Sequence, residues 1–320
     1  MTQTATAQIT GIHHVTAIAS DPQKNIDFYA GLLGLRQVKK TVNFDDPSAY
    51  HLYYGDEHGT PGSIVTFFYW PGHESRGRVG SGQTTALVFS APPASLAWWQ
   101  ERLARHGVKV EHKTRFGEEV LAFVDPDEIP VEIVAVAEDS RSGWTGSGIP
   151  AEHAIRGLHT AELTVAFAAP TEALLSIEMQ FRLVNREGDR ARFEAGPGGS
   201  GRYADVIEAP SAKRGSGGSG TIHHIAWSVP DDATELAKQS ELQDSGYQVS
   251  PVMDRDYFHS IYYRERGGIL FEIATETPGI AVDEPAASLG TALKLPRQFE
   301  PHRAKIEQLL PPVEVAKSFT

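Results

Sequence analysis

Thr221-Ile222-His223-His224-Ile225-Ala226-Trp227-Ser228-Val229 opens a stretch that closes on Gly267-Gly268-Ile269-Leu270-Phe271-Glu272-Ile273-Ala274-Thr275. Both ends read as buried strands, because they are short β-branched and aromatic runs bounded by Gly, Pro or Ser. One end carries paired histidines. The other carries a lone glutamate inside an apolar strand, where a carboxylate costs several kcal/mol unless something compensates it. A metal ion held jointly with a neutral imidazole is such a compensation. Between the ends, Asp231 to Asp244 reads as a helix and Tyr257 to Arg264 as a further strand, so the order is β-α-β-β-β.

The chain has 320 residues, enough for one large or two ordinary domains. Its apolar and charged fractions are those of a soluble globular protein. A net charge of −12 argues against nucleic acid or an anionic membrane as the main partner. No apolar run approaches the roughly 20 residues of a membrane span. Met1 to Ile9 lacks a basic segment followed by an apolar one, so no signal peptide is read and the chain is expected to be cytoplasmic. Cysteine is absent, which excludes disulfides, thiolate metal sites and Cys nucleophiles. Any metal must then take His, carboxylate and water ligands, which suits Fe(II), Mn(II) or Zn(II).

The same unit recurs four times. The first copy starts at Gly11-Ile12-His13-His14-Val15-Thr16, with Asp21-Pro22 as a helix N-cap and first helical residue, and Gly34 as the helix end. Strands follow at Gln37 to Asn43, Tyr50 to Tyr54 and Ser63 to Tyr69. The second copy has a strand at Thr84 to Phe89, a helix from Ala94 to His106, and strands near Val108, Val120 and Val131. The third starts at Gly157-Leu158-His159-Thr160, with a helix near Pro170 to Ser176 and strands near Phe181, Ala191 and Ala204. The fourth is the opening stretch. The starts at 11, 84, 157 and 221 are separated by 73, 73 and 64 residues. Ser140 to Pro150 reads as a Gly/Ser-rich linker, which divides the chain into an N-terminal domain, 1–140, and a C-terminal domain, 151–320. Gly215 to Gly220 reads as a mobile connector. The Pro-rich tail from Thr277 carries one amphipathic helix around Arg303 to Leu310.

Four βαβββ modules with Gly-x-His at module starts and Phe-Glu-Ile at a module end resemble the vicinal oxygen chelate superfamily, which includes glyoxalase I, bleomycin-resistance proteins and type I extradiol dioxygenases. The resemblance implies an α+β fold in which the modules pair into two open cup-shaped barrels, with a divalent metal in a cup. Within that group the chain is most similar to dioxygenases that cleave hydroquinone rings. The matching stretches are Gly11 to Thr16, Tyr50-His51-Leu52-Tyr53-Tyr54-Gly55-Asp56-Glu57-His58-Gly59-Thr60-Pro61-Gly62, Ile222-His223-His224, Asp254-Arg255-Asp256-Tyr257-Phe258 and Leu270-Phe271-Glu272.

The resemblance implies His14, His224 and Glu272 as the metal ligands. The residue types agree: two His and one carboxylate on one face leave positions open for a substrate oxygen and O₂. Period-two alternation puts Ile12, His14 and Thr16 on one strand face and His13 and Val15 on the other, so both members of a His-His pair cannot ligate from a regular strand. A lone strand His is ordinarily a hydrogen-bonded core residue. Two pairs at equivalent module starts, with a Glu at the fitting module end, reverse that reading. His159 is the competitor for His14, because many extradiol enzymes take a ligand from the third module. Choosing His14 pairs modules one and four in one cup and two and three in the other. Glu132 and His159 then have a structural role.

The resemblance also places His13, Thr16, His223, Arg255 and Tyr262 around the substrate. A His suits deprotonation of a phenol near neutral pH, Arg255 the neutralising of oxyanion charge, and Tyr262 a hydrogen bond to an oxygen. Ordinary alternatives are a surface charge for Arg255 and a strand aromatic for Tyr262. The activity implied is a non-haem Fe(II)-dependent, extradiol-type ring-cleaving dioxygenase, with Mn(II) as the alternative metal. Its partners are a small aromatic para-diol and O₂; a homo-oligomer stays open. A glyoxalase-like lyase or isomerase, a catechol-type dioxygenase and a metal-free binding protein are the alternatives.

Overall fold

The computed structural model describes residues 8–72 and 75–319. The first module is β1 (Gly11–Ile18), α1 (Pro22–Ile26), β2 (Arg36–Val42), β3 (Tyr50–Gly55) and β4 (Ile64–Tyr69). The second is β5 (Gln83–Ala91), α2 (Leu96–Arg105), β6 (Glu111–Arg115), β7 (Glu118–Val124) and β8 (Pro130–Ala135). The third is β9 (Gly157–Val165), α3 (Ala168–Ile177), β10 (Arg182–Glu187), β11 (Arg190–Glu194) and β12 (Tyr203–Glu208). The fourth is β13 (Thr221–Val229), α4 (Asp232–Asp244), β14 (Met253–Asp254), β15 (Phe258–Arg264) and β16 (Leu270–Pro278). A tail follows, with α5 (Arg303–Leu309). Among the described residues no helix is long and apolar enough to cross a membrane.

The strands form two curled eight-stranded sheets, ordered β14-β15-β16-β13-β1-β4-β3-β2 and β10-β11-β12-β9-β5-β8-β7-β6. Modules one and four therefore share one sheet and modules two and three the other. They join through the antiparallel pairs β1–β13 and β5–β9. Each sheet takes one module from either side of the 140–150 linker, so the expected halves, 1–140 and 151–320, are both spread over both sheets. Two matched crossings tie the sheets together. The amide of Ile12 donates to Gly201 O and that of Leu158 to Gly62 O, each at 2.8 Å. A Cβ on Gly11 would stand 2.7 Å from Gly201 O, and one on Gly157 2.9 Å from Gly62 O. Both residues also have φ in the range that favours glycine, +155° and +142°. That is the physical content of the Gly at the starts of modules one and three.

The strand starts are not regular. In the β1–β13 register Ile12 faces Trp227 and His14 faces Ala226, leaving His13 as an extra residue; Thr16 faces His224 and Ala17 faces Ile222, leaving His223 extra. Each bulge puts two residues opposite one and flips the alternation. This corrects the expectation that Ile12 shares a face with His14 and Thr16. Ile12 joins Val15 and Ala17 in the apolar core, as Ile222 joins Ile225 and Trp227. The main apolar cluster packs the sheets against the helices, and two smaller apolar clusters accompany the polar groups of the cups.

Three further readings are corrected. The strand placed near Val108 lies at Glu111–Arg115. Val108 instead closes α2 by donating its amide to Leu103 O, and the sheet-edge strand has the solvated sequence Glu-His-Lys-Thr-Arg, with no apolar alternation to betray it. The helix starting at Pro22 is α-helical only to Ile26 and continues as a π-helical turn, Asp27–Leu32. The Gly215 to Gly220 connector is tied down: Gly77 N bonds Ser219 O, and Arg78 and Ser216 exchange both amide bonds. The tail straps modules one and two. Lys39 is fully buried against Asp283 and Glu284, Lys317 N donates to Asp27 Oδ1, and Arg102 donates to Phe319 O.

Candidate metal centre and cavity

His14 on β1, His224 on β13 and Glu272 on β16 converge on the inner face of the first sheet. The parallel pairing of β13 with β16 sets Glu272 opposite Ala226, two residues beyond His224. One ligand atom from each of the three lies within 4.8 Å of the others, and no other such group of His or carboxylates exists among the described residues. His224 Nε2 is 2.9 Å and His14 Nε2 3.5 Å from Glu272 Oε2, and the two Nε2 atoms are 3.3 Å apart. All three residues are buried. Burial acts to raise the Glu272 carboxyl pKa, but the close approach of His14 first and His224 second outweighs it and holds the group well below the usual range. Yet neither carboxylate oxygen takes a well-formed hydrogen bond. Lone pairs approaching one point, around a buried carboxylate without a donor, fit a divalent cation better than they fit one another.

The bulged His13 sets the tautomer of His14. His13 Nε2 lies 3.2 Å from Thr275 O, which can only accept, so Nε2 carries the proton. His13 Nδ1 is then an acceptor, and it lies 2.9 Å from His14 Nδ1. His14 must donate from Nδ1, which leaves its Nε2 bare and aimed at Glu272. Burial, and then the neighbouring His14, lowers the His13 pKa to about 3, so it stays neutral. His223 stands in the same relation to His224, Nδ1 to Nδ1 at 2.7 Å, but it is exposed, with its ring edge against Phe68. Second partners of this kind orient ligands and tune their basicity.

A cavity opens over the triad. Of the residues expected around a substrate, Arg255 and Tyr262 line it, whereas His13, Thr16 and His223 do not. Thr16 turns its hydroxyl to Thr66 Oγ1, 2.7 Å away. Arg255 lies at the mouth in a bidentate pair with Asp45, both contacts 3.1 Å, with its guanidinium over the Tyr262 and Phe44 rings. Burial alone would lower the Arg255 pKa; Tyr262 and Asp45 outweigh it and raise it. Tyr262 Oη accepts from Ser260 Oγ at 3.0 Å, which leaves its own proton for the cavity. Phe44, Phe68 and Phe258 supply apolar wall. Sequence reasoning missed His51, Tyr53, Asn43 and Asp45. The alternation Tyr50-His51-Leu52-Tyr53-Tyr54 could have put His51 and Tyr53 on one inner face. Nothing local marks Asn43 or Asp45.

The second cup is filled instead. Glu132 faces Val88 as Glu272 faces Ala226. His159 sits at a bulge in β9, the place of His13, and the place of His14 is taken by Thr160. Arg115 pairs with Glu132 and Glu162, Arg190 with Glu162 and Asp205, and Arg192 with Asp205 and Glu118. His159 bonds Ser200 Oγ at 2.8 Å and Glu118 Oε2 at 3.2 Å. Three guanidiniums neutralise these carboxylates, where the first cup has none beside Glu272.

A profile of the Glyoxalase/Bleomycin resistance protein/Dioxygenase superfamily matches residues 11–133. The chain is 46% identical over 305 residues to MhqO of Bacillus subtilis (strain 168), named as a ring-cleaving dioxygenase, covering 95% of this chain and 97% of that one. It is 34% identical over 300 residues to the chlorohydroquinone/hydroquinone 1,2-dioxygenase of Sphingobium indicum, covering 92% and 93%. A crystal structure described as a dioxygenase from Bacillus subtilis superposes with a TM-score of 0.93 at 45% identity, over 97% of this chain and 99% of that one. Glyoxalase I of Zea mays shares the fold alone, with a TM-score of 0.63 at 12% identity over 83% and 92%. The chain belongs to the glyoxalase/bleomycin resistance/dioxygenase superfamily.

Proposed function

We propose that this protein is a metal-dependent ring-cleaving dioxygenase of the extradiol type, acting on hydroquinone-like para-diols with O₂, and that His14, His224 and Glu272 hold Fe(II) or Mn(II). The observation that carries the reading is the convergence of His14 Nε2, His224 Nε2 and a buried, donor-free Glu272 carboxylate beneath an aromatic-walled cavity. Similarity across nearly the whole chain to proteins named as ring-cleaving and hydroquinone dioxygenases supports the reaction class. When bound, the metal supplies a coordination point for a ring hydroxyl and a route for electrons between ring and O₂.

The protein's own groups do the rest. Phe44, Phe68 and Phe258 hold the ring and exclude water. Tyr262 offers its hydroxyl proton to an oxygen above the triad. Arg255 places a permanent positive charge where oxyanion character develops. His13 works from behind, as the positioning residue that keeps His14 in the Nε2-bare tautomer, and His223 holds the ring of His224 through the matching Nδ1–Nδ1 contact. A para-diol reaches the metal through one oxygen, so its far hydroxyl must be held by protein groups. A site built to bond that hydroxyl rejects a ring lacking it by a factor of about 10⁴.

Anaerobically purified protein loaded with Fe(II), and separately with Mn(II), tests this by oxygen uptake on hydroquinone and catechol. One O₂ per hydroquinone, with catechol poor, is expected. Preference for catechol would overturn the substrate class. Turnover of a hemithioacetal without oxygen uptake would overturn the dioxygenase reading.

A further inference from the structure

Among the described residues, His51 is the one imidazole that lines the cavity besides those of His14 and His224. It projects from β3 two residues before Tyr53, so both side chains leave the same face of the strand. Its ring lies between those of Tyr53 and Phe68, with centroids 4.2 and 4.3 Å away. Both ring nitrogens are engaged. Nδ1 is 3.1 Å from the Tyr53 hydroxyl and Nε2 is 2.8 Å from Thr66 Oγ1. Thr66 continues to Thr16 at 2.7 Å. The result is one hydrogen-bonded line, Tyr53–His51–Thr66–Thr16, made of buried side chains.

A neutral imidazole has one donor and one acceptor nitrogen, so His51 imposes a single direction on the whole line. If Tyr53 donates to Nδ1, the phenol oxygen keeps lone pairs for the cavity. If Nδ1 donates, the phenol proton is left for the cavity. In either direction one function of the Tyr53 hydroxyl is consumed by His51 and the other is left for the cavity that Tyr53 lines. Tyr53 lines the cavity wall and is buried. Buried polar functions of this kind are satisfied by a ligand or by water.

Resting on the dioxygenase reading, we propose that the Tyr53 hydroxyl is a binding contact for a hydroxyl of the aromatic substrate, and that His51 is the positioning residue that aims it. The observations that carry this are the line of bonds and its end at the cavity. Thr16, expected at the substrate, belongs to the far end of the same line.

The test is calorimetric binding of hydroquinone, without O₂, to metal-loaded protein, alongside KM and kcat in air. Tyr53→Phe should weaken hydroquinone binding and raise KM about tenfold, the loss of one buried hydrogen bond to the substrate, with metal content unchanged and Tm lowered only modestly by the unpartnered His51 Nδ1. His51→Asn keeps a polar group facing Tyr53 and should recover most of the binding that His51→Gln loses. His51→Gln reaches Thr66 but not Tyr53 and should match Tyr53→Phe. The double variant Tyr53→Phe/His51→Gln should be no worse than either single variant. Equal losses for the Asn and Gln variants, or additive losses in the double, would show that His51 merely packs. Unchanged binding by Tyr53→Phe, in protein whose wild type consumes O₂ with hydroquinone, would overturn this assignment and leave the proposed function standing. A wild type that neither binds hydroquinone nor consumes O₂ would remove both.

Discussion

His13 Nδ1 lies 2.9 Å from His14 Nδ1, and that contact decides which nitrogen of His14 faces Glu272. The anchor is the Thr275 carbonyl, which obliges His13 to donate from Nε2. The His-His dipeptide thus sets a candidate ligand against the residue that holds it, a contact a regular strand could not make. The bulge at residue 13 is what permits it.

His13→Phe fills the same space but cannot accept from His14 or donate to Thr275. Metal affinity should fall ~10- to 100-fold with little loss of fold. Metal titration of the apo variant checks it; wild-type affinity would remove His13 from the support of the site.

His14→Ala should abolish metal binding and activity, as should Glu272→Ala. His159→Ala should retain both, at a stability cost of roughly 1–3 kcal/mol from a lost buried hydrogen-bonding group. Metal analysis and Tm on the three variants decide the matter. The reverse pattern would move the centre into the second cup.

Arg115 lies between Glu132 and Glu162, with Arg115 Nη2 2.9 Å from Glu132 Oε1. Arg115→Met would leave two buried carboxylates short of a partner and should cost about 3–5 kcal/mol. Denaturant unfolding reads the cost, while kcat/KM at low temperature should hold because the network lies in the other cup. A variant as stable as wild type would mean the network is dispensable.

Asp125 joins modules one and two by accepting from the Tyr29 hydroxyl at 3.0 Å. Burial, and to a lesser degree the nearby Asp127, raises its pKa to about 7 against the combined effect of its hydrogen bonds. The folded state therefore holds this proton more tightly than the unfolded chain, whose Asp titrates near 4. Asp125 contributes its full stability below about pH 4 and loses it as pH rises through about 7. Asp125→Asn removes that dependence. The Tm of the variant minus that of wild type should rise between pH 4 and pH 8, on the order of several degrees. A difference that is flat with pH would show that Asp125 titrates normally.

The sequence by itself determined the repeated module, the two His-His pairs and the lone Glu in an apolar strand. Each rests on local rules: periodicity, turn residues and the cost of burying a charge. The resemblance then singled out His14, His224 and Glu272, which the structure brings together. Choosing His14 already implied which module meets which; what only tertiary structure decided is the register in which they meet and how each strand start is kinked. Strand pairing between residues some 210 apart depends on the sum of many weak contacts, and a bulge exists only relative to a partner strand. The same reason hid the cavity wall. Alternation marks His51 and Tyr53 as sharing a strand face but not as cavity wall, and nothing local marks Asp45; they become one site with Arg255 and Tyr262 because the sheet curls. The same curl turns Thr16 to Thr66 rather than to the cavity, while His159, read as structural, is held by Ser200 and Glu118.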